Sequence, residues 1–181
     1  MTWLPTKAGL AVALALAGTA LSGCKVDEGD LRRWEGTQRG PDKLQAVVKA
    51  PKYAMPLRVE AAMSLIRMKP RQLVDSLAQI TPEQRAPLLA GLVPSMIAEL
   101  KKPPPVAQAG QAAPPDPSFS FKDAAYAILV YEKQVLIADD ALKQTLRSAL
   151  TDWAMADFER RLENRSQAST MEQLLRLLGP E

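Results

Sequence analysis

The chain of 181 residues contains no histidine and a single cysteine. Without histidine, the Ser-His-Asp and Cys-His arrangements that activate a hydroxyl or thiol nucleophile cannot be built. Zinc sites made from His or Cys ligands are excluded as well, because one thiol cannot complete a tetrahedral set. A lone cysteine also rules out a disulfide within the chain. Aromatic residues make up 5% of the sequence, too few for the stacking platform that nucleic acid or sugar would need. No GxxxxGK or GxGxxG phosphate loop occurs. Beyond Cys24 there is no Ser-x-x-Lys pair, which leaves carboxylates, Lys or Tyr as the available catalytic groups. A protein that is not an enzyme is expected, with no metal, no nucleic-acid ligand and no small-molecule substrate.

The one cysteine stands in an informative place. Lys7 and the amino terminus give a weakly positive start, and an apolar run from Ala8 to Ala20 leads to Leu21-Ser22-Gly23-Cys24. That order is the layout of an export signal with its cleavage site. The four residues resemble the lipobox of bacterial lipoproteins. The resemblance implies that Leu21, Ser22 and Gly23 are recognised by the signal peptidase and that the chain is cut before Cys24. The Cys24 thiol and the new amino terminus would then be acylated, a covalent lipid such as palmitate being the only expected attached group. Two other readings exist: a membrane-spanning helix, for which Ala8 to Ser22 is short of the ~20 apolar residues required, and an ordinary secretory signal cut near Ala20. The second would leave an unpaired thiol in an oxidising compartment. Lys25 stands where the inner-membrane retention signal of the resembling family carries Asp, so the resemblance implies the outer membrane.

Cleavage there leaves 22 basic against 20 acidic residues, distributed unevenly. Lys25 to Arg71 holds eleven basic and six acidic residues, whereas Phe121 to Glu181 holds eight and ten. A basic membrane-proximal half suits anionic headgroups, phosphates or an acidic partner, and it equally suits an ordinary solvated helical surface.

Apolar residues recur at helical rather than alternating spacing throughout, which predicts an all-α fold. The expected organisation is a signal peptide over residues 1–23, a lipidated tether over 24–30 and a helical segment over 31–102. A Pro/Ala-rich linker follows over 103–118, then a second helical segment over 119–181. In the first segment helices are expected over Arg32 to Gln38, from Gly40-Pro41-Asp42 with Leu44, Val47 and Val48 inward, from Pro56 to near Lys69, and over Arg71 to Ile80. Thr81-Pro82-Glu83-Gln84 resembles a capping box that opens a helix to about Lys102, and a kink or break is expected at Pro94. In the second segment Lys122 to Leu136 reads as a central helix packed on several sides, with a strand at Ala127 to Tyr131 as the alternative. Asp139 or Asp140 caps a long helix to about Asn164, with Leu142, Leu146, Ala149, Leu150, Trp153, Ala156 or Phe158, and Leu162 inward. A last helix is expected over Met171 to Leu178.

The stretch Leu57-Arg58-Val59-Glu60-Ala61-Ala62-Met63-Ser64-Leu65-Ile66 resembles the second helix of a HEAT-type repeat, with an arginine before paired alanines and a leucine after them. Leu146-Arg147-Ser148-Ala149-Leu150 echoes it weakly. No clean period of ~40 residues is present, so an irregular helical bundle and a short HEAT-like α-solenoid both remain as architectures. Arg67-Met68-Lys69-Pro70-Arg71 is the densest basic cluster and a candidate for holding phosphate or an acidic partner, the plainer reading being charge at a helix C-terminus. Arg32, Arg33 and Trp34 form a second candidate partner surface. Trp153 shares a helical face with Leu146 and Leu150 and is expected in the core. Asp27-Glu28-Gly29-Asp30 lacks the full calcium-loop pattern and reads as a helix cap. Together these features lead to the expectation of a lipid-anchored envelope protein acting as a non-catalytic helical adaptor for protein partners. A carboxylate-using envelope enzyme and a lipid-handling or assembly accessory are the alternatives.

Overall fold

The computed structural model describes residues 26–106, 110 and 114–156. Within them the chain is all-helical: α1 (Glu28–Glu35), α2 (Gly40–Lys49), α3 (Met55–Met68), α4 (Pro70–Ala78), α5 (Pro82–Leu100), α6 (Ser118–Leu129) and α7 (Asp140–Met155). Proline stands in the first turn of α2, α3, α4 and α5, where its missing N–H costs nothing and its fixed φ suits the helix. The helices form three layers. The pair α2 and α4 packs side by side on α3, α3 and α6 fill the middle, and α5 and α7 make the third layer, with α1 against α2 and α3. One apolar core runs from Leu31 to Ala154. Its largest fully buried residues include Phe121, Leu44, Leu65, Ile66, Leu77, Leu92 and Leu146.

The middle position explains the composition of α3. Ala61, Ala62, Met63, Ser64, Leu65 and Ile66 are all buried in succession, and small alanines let neighbours approach from more than one side. α6 is similarly enclosed, with Phe121, Ala124, Ala125 and Ile128 buried. It spans Ser118–Leu129 rather than Lys122 to Leu136. The strand considered at Ala127 to Tyr131 does not form, because Ala127 to Leu129 are the last helical turn. Residues 130–139 fold into an irregular segment in which Leu136 and Ile137 are buried while Val135 is 68% exposed.

Two prolines lie inside α5, Pro87 and Pro94, and the helix continues through both. Each is exposed, so the carbonyls of Glu83 and Ala90 that lose their donors lie on a hydrated face, and the expected break is avoided. Thr81 is the N-cap of α5 but makes no capping hydrogen bond. Glu83 takes its place: its carboxyl is held below the usual range by its own backbone N–H and by the Thr81 hydroxyl. At α1 an acidic cap does form, since the Asp30 N–H donates to Asp27 at 2.9 Å and the Asp27 N–H donates to Asp30 at 3.1 Å. This reciprocal box draws the start of α1 forward to Glu28, four residues before the expected Arg32, and shortens the expected 24–30 tether.

Asp139 caps α7 through the Leu142 N–H at 3.1 Å. α7 ends at Met155, so it spans about 24 Å and stops short of Asn164. Phe158, Leu162, Asn164 and the expected helix over Met171 to Leu178 lie outside the described residues. The parts of the Pro-rich segment that are described, 103–106 and 114–117, carry no helix or strand. Asp116 closes the segment by accepting the Ser118 N–H at 2.9 Å. Trp153 lies in the core at 2% exposure, donating from Nε1 to Ser118 Oγ at 2.8 Å and meeting Phe119 edge-on at 5.1 Å.

Candidate functional site

Leu21, Ser22, Gly23 and Cys24 lie outside the described residues. The other candidates divide by charge partner. Arg32 and Arg33 project from α1 and pair within that helix, with Glu28 and Asp30 respectively. Trp34 is half-buried against the core, with Lys43 Nζ 5.1 Å from its ring centre. Lys69 and Arg71 flank Pro70 at the start of α4 and are exposed, with no carboxylate partner among the described residues.

Arg67 behaves differently from its neighbours. Its Nη2 reaches Glu35 at 2.8 Å and Glu60 at 3.1 Å, and it also donates to Ser64 Oγ at 3.1 Å. Its charge is therefore matched inside the protein, where it ties the end of α1 to α3. Glu60 and Arg67, two helical turns apart, share one face of α3, so that half of the network was readable from spacing. The Glu35 contact needed the tertiary fold. Burial pushes the Glu35 carboxyl up, but hydrogen bonds with Arg67 and Ser64 and the Arg67 charge outweigh it, leaving the group below its ordinary value. Burial pulls the Arg67 pKa down, but hydrogen bonds with Glu35 and Glu60 and their charges outweigh it and raise the value.

A depressed carboxylate stabilises the fold above its unfolded value, about 4.3 for glutamate, and loses that contribution as pH falls through the lower folded value. Glu35→Gln is therefore expected to cost up to about 1 kcal/mol at neutral pH and to cost nothing once the pH is below the folded value. Urea midpoints of both proteins across the acid range test this. A constant difference between them would assign the effect to packing instead.

Two arginines lie inside the protein. Arg58 is 3% exposed and Arg85 4%. The Arg58 Nε–H donates to the Val48 carbonyl at 2.9 Å. Arg85 Nη1 donates to Leu77 at 3.1 Å and Ile80 at 3.3 Å, and Nη2 to Val135 at 3.2 Å. Each guanidinium thus sits at the carbonyl end of a helix, α2 or α4, where the dipole offers partial negative charge. Burial lowers the pKa of Arg58. Each arginine is the fourth residue of the second helix in its pair, α2–α3 or α4–α5, so the two pairs repeat one contact 27 residues apart.

On the far layer an open groove of about 390 Å³ runs between α5 and α7, lined by Ile97, Lys101, Gln144, Thr145, Ser148, Ala149 and Asp152. Its wall is mixed and more apolar than polar: Ile97, Ala149 and side-chain stems alternate with the amide of Gln144, the hydroxyls of Thr145 and Ser148, one cation and one carboxylate. Among the described residues there is no group of three His, Cys, Asp or Glu that could hold a metal ion, and no helix is long and apolar enough to cross a membrane. No family model matches the chain, and no curated protein or solved structure matches it.

Proposed function

We propose that the protein is a lipid-anchored lipoprotein of the bacterial envelope, held at the outer membrane, whose helical body is a non-catalytic adaptor for protein partners. The observation that carries the reading is the placement of the only cysteine at the end of Leu21-Ser22-Gly23-Cys24, behind an apolar segment and ahead of Lys25. The body gains its stiffness from the three-layer core, which suits a scaffold. Partners engage the α5–α7 groove. Its lining of Lys101, Gln144, Thr145, Ser148 and Asp152 offers donors, acceptors and both charge signs, the chemistry a polypeptide needs and an acyl chain does not. An open groove of mixed lining, in place of the enclosed apolar cavity an acyl chain would need, favours the adaptor reading over lipid handling.

The test is palmitate labelling combined with in-cell crosslinking. Wild type is expected to take up label and Cys24→Ser to take up none; equal labelling of both defeats the anchor. A photocrosslinker at Ser148 is expected to give adducts with an envelope protein that one at Ala46, on the opposite layer, does not. Identical adduct patterns from the two positions defeat the groove as the binding surface.

A further inference from the structure

We propose that the outer face of α2 and α4 lies against an anionic phospholipid bilayer, its basic side chains meeting headgroup phosphates while the α5–α7 groove points away. This inference rests on the reading of Cys24 as lipidated.

Residues 39–53 and 69–79, which form this layer, carry six basic residues, Arg39, Lys43, Lys49, Lys52, Lys69 and Arg71, against two acidic ones, Asp42 and Asp75. None of the six has an ion-pair partner among the described residues. At about 100° per residue, Arg39, Lys43, Ala46 and Lys49 fall on one arc of α2. Two polar rungs place α4 alongside: Gln45 Nε2 donates to Gln72 Oε1 at 3.1 Å, and Lys49 Nζ to Gln79 Oε1 at 3.1 Å. The cations of both helices therefore share one surface, and the partner of Lys49 is a neutral amide that leaves its charge intact. At each end of α2 a lysine stands over a half-buried ring, Lys43 over Trp34 and Lys52 over Tyr53, both at 5.1 Å. Amphipathic aromatic rings beside ammonium groups match the chemistry of the headgroup region.

The anchor adds a distance. α1 begins at Glu28, with Asp27 as its cap, so the Asp27 Cα lies at most about 11 Å from that of Cys24. That is comparable to the screening length of about 8 Å at physiological salt. α1 in turn packs directly on α2. The far layer carries no such excess. Residues 82–102 and 139–155, which form it, balance five acidic residues, Glu83, Glu99, Asp139, Asp140 and Asp152, with five basic ones, Arg85, Lys101, Lys102, Lys143 and Arg147. Turning the body over would present a layer of no net charge to the anionic surface in place of one with four cations in excess, so the field selects one orientation.

The lipidated full-length protein provides its own test, because acylation of Cys24 leaves an engineered cysteine as the only free thiol. Ala46→Cys reports from the centre of the α2 face, and Ser148→Cys from the groove. In vesicles of equal parts phosphatidylglycerol and phosphatidylcholine, a membrane-impermeant maleimide is expected to label Ala46→Cys about tenfold more slowly than in pure phosphatidylcholine. The protection should disappear near 1 M salt, where screening shortens to about 3 Å. It should also disappear when Lys43, Lys49, Lys52 and Arg71 are all changed to Gln. Ser148→Cys should label at one rate in both vesicles. Equal labelling of Ala46→Cys in the two vesicle types overturns the inference while flotation with the vesicles preserves the anchor. Protection that persists in neutral vesicles points to a second copy of the chain on this face and also overturns it. Failure to float in either vesicle defeats the anchor and this inference together.

Discussion

Arg85→Ala is expected to lower stability by about 3 kcal/mol, read as a fall in the urea midpoint with little change in slope. The guanidinium joins three carbonyls from two separate stretches of chain: Leu77 and Ile80 at the end of α4, and Val135 in the segment between α6 and α7. Truncation opens a cavity at a site 4% exposed and takes the arginine donor from the Ile80 carbonyl, where a buried acceptor without a donor costs about 1–3 kcal/mol; the Leu77 carbonyl keeps the Ile80 N–H at 3.3 Å, and the lost packing and the broken link to Val135 add the rest. Arg85→Met keeps much of the volume and so separates lost packing from lost hydrogen bonds; it should remain well below wild type. Arg85→Lys should recover little, since one ammonium cannot span positions served by two guanidinium nitrogens. Gln134 donates to the Ala78 carbonyl at 2.8 Å and holds the same junction. Gln134→Ala should cost about 1 kcal/mol alone and less than that in the Arg85→Ala background, because the shared junction is already loosened. A loss under about 1 kcal/mol for Arg85→Ala would show that water serves these carbonyls as well as arginine does.

The same arginine marks the limit of pattern reading. Helical periodicity identified the inward faces because burial and apolarity coincide there: Leu44, Val47 and Val48 in α2, Leu73, Val74 and Leu77 in α4, and Leu146, Leu150 and Trp153 in α7 are all buried. A periodicity scan assigns every arginine to solvent, however, and so misses Arg58 and Arg85. What makes their burial tolerable is the carbonyl end of a neighbouring helix, a feature of tertiary structure. A signal for it was present in the fourth-residue position that each arginine holds in its proline-opened helix. Its spacing is 27 residues, away from the period of ~40 that a HEAT-type repeat would show.

Helix ends show a related limit. α1 begins early because Asp27 and Asp30 cap each other, a local effect that the residues contain. α6 ends at Leu129 although apolar residues continue to Leu136, because Arg85 and Gln134 hold the following segment against α4. Apolarity there marks burial of Leu136 and Ile137 in a non-helical conformation. For the candidate surface, the sequence located the basic residues but could not tell which were free. Arg67 looked equivalent to Lys69 and Arg71 until the fold brought Glu35 beside it. The groove between α5 and α7 had no signature, because its lining mixes residue types at positions that periodicity treats as ordinary solvent-facing sites.

Gly40→Ala is expected to cost about 3 kcal/mol, although the substitution adds one methyl group to the first turn of a helix. A Cβ at residue 40 would collide with the Trp34 carbonyl oxygen and lie 2.8 Å from its carbonyl carbon. The obstacle is backbone, so no rotamer change relieves it. That oxygen also accepts the Thr37 N–H at 3.0 Å and the Thr37 hydroxyl at 3.1 Å, and Gly40 N–H donates to the Thr37 carbonyl at 3.0 Å. Separating residues 34 and 40 therefore strains or breaks the whole turn between α1 and α2. Gly36→Ala is the control within the same turn: its Cβ would meet only the Arg33 carbonyl oxygen at 3.8 Å, an ordinary contact, and stability should change by less than about 0.5 kcal/mol. The damage should also be visible locally. Trp34 is half-buried while Trp153 is enclosed, so release of α1 should shift the Trp34 part of the emission to longer wavelength, which Trp3→Phe together with Trp153→Phe would isolate. An unshifted spectrum with native stability in Gly40→Ala would mean that the chain reroutes the turn without loss. Under the proposed attachment at Cys24, the tight turn at Gly40 is also what would transmit the position of the anchor to the α2–α4 layer, and loosening it should weaken the orientation of the body while leaving membrane attachment intact.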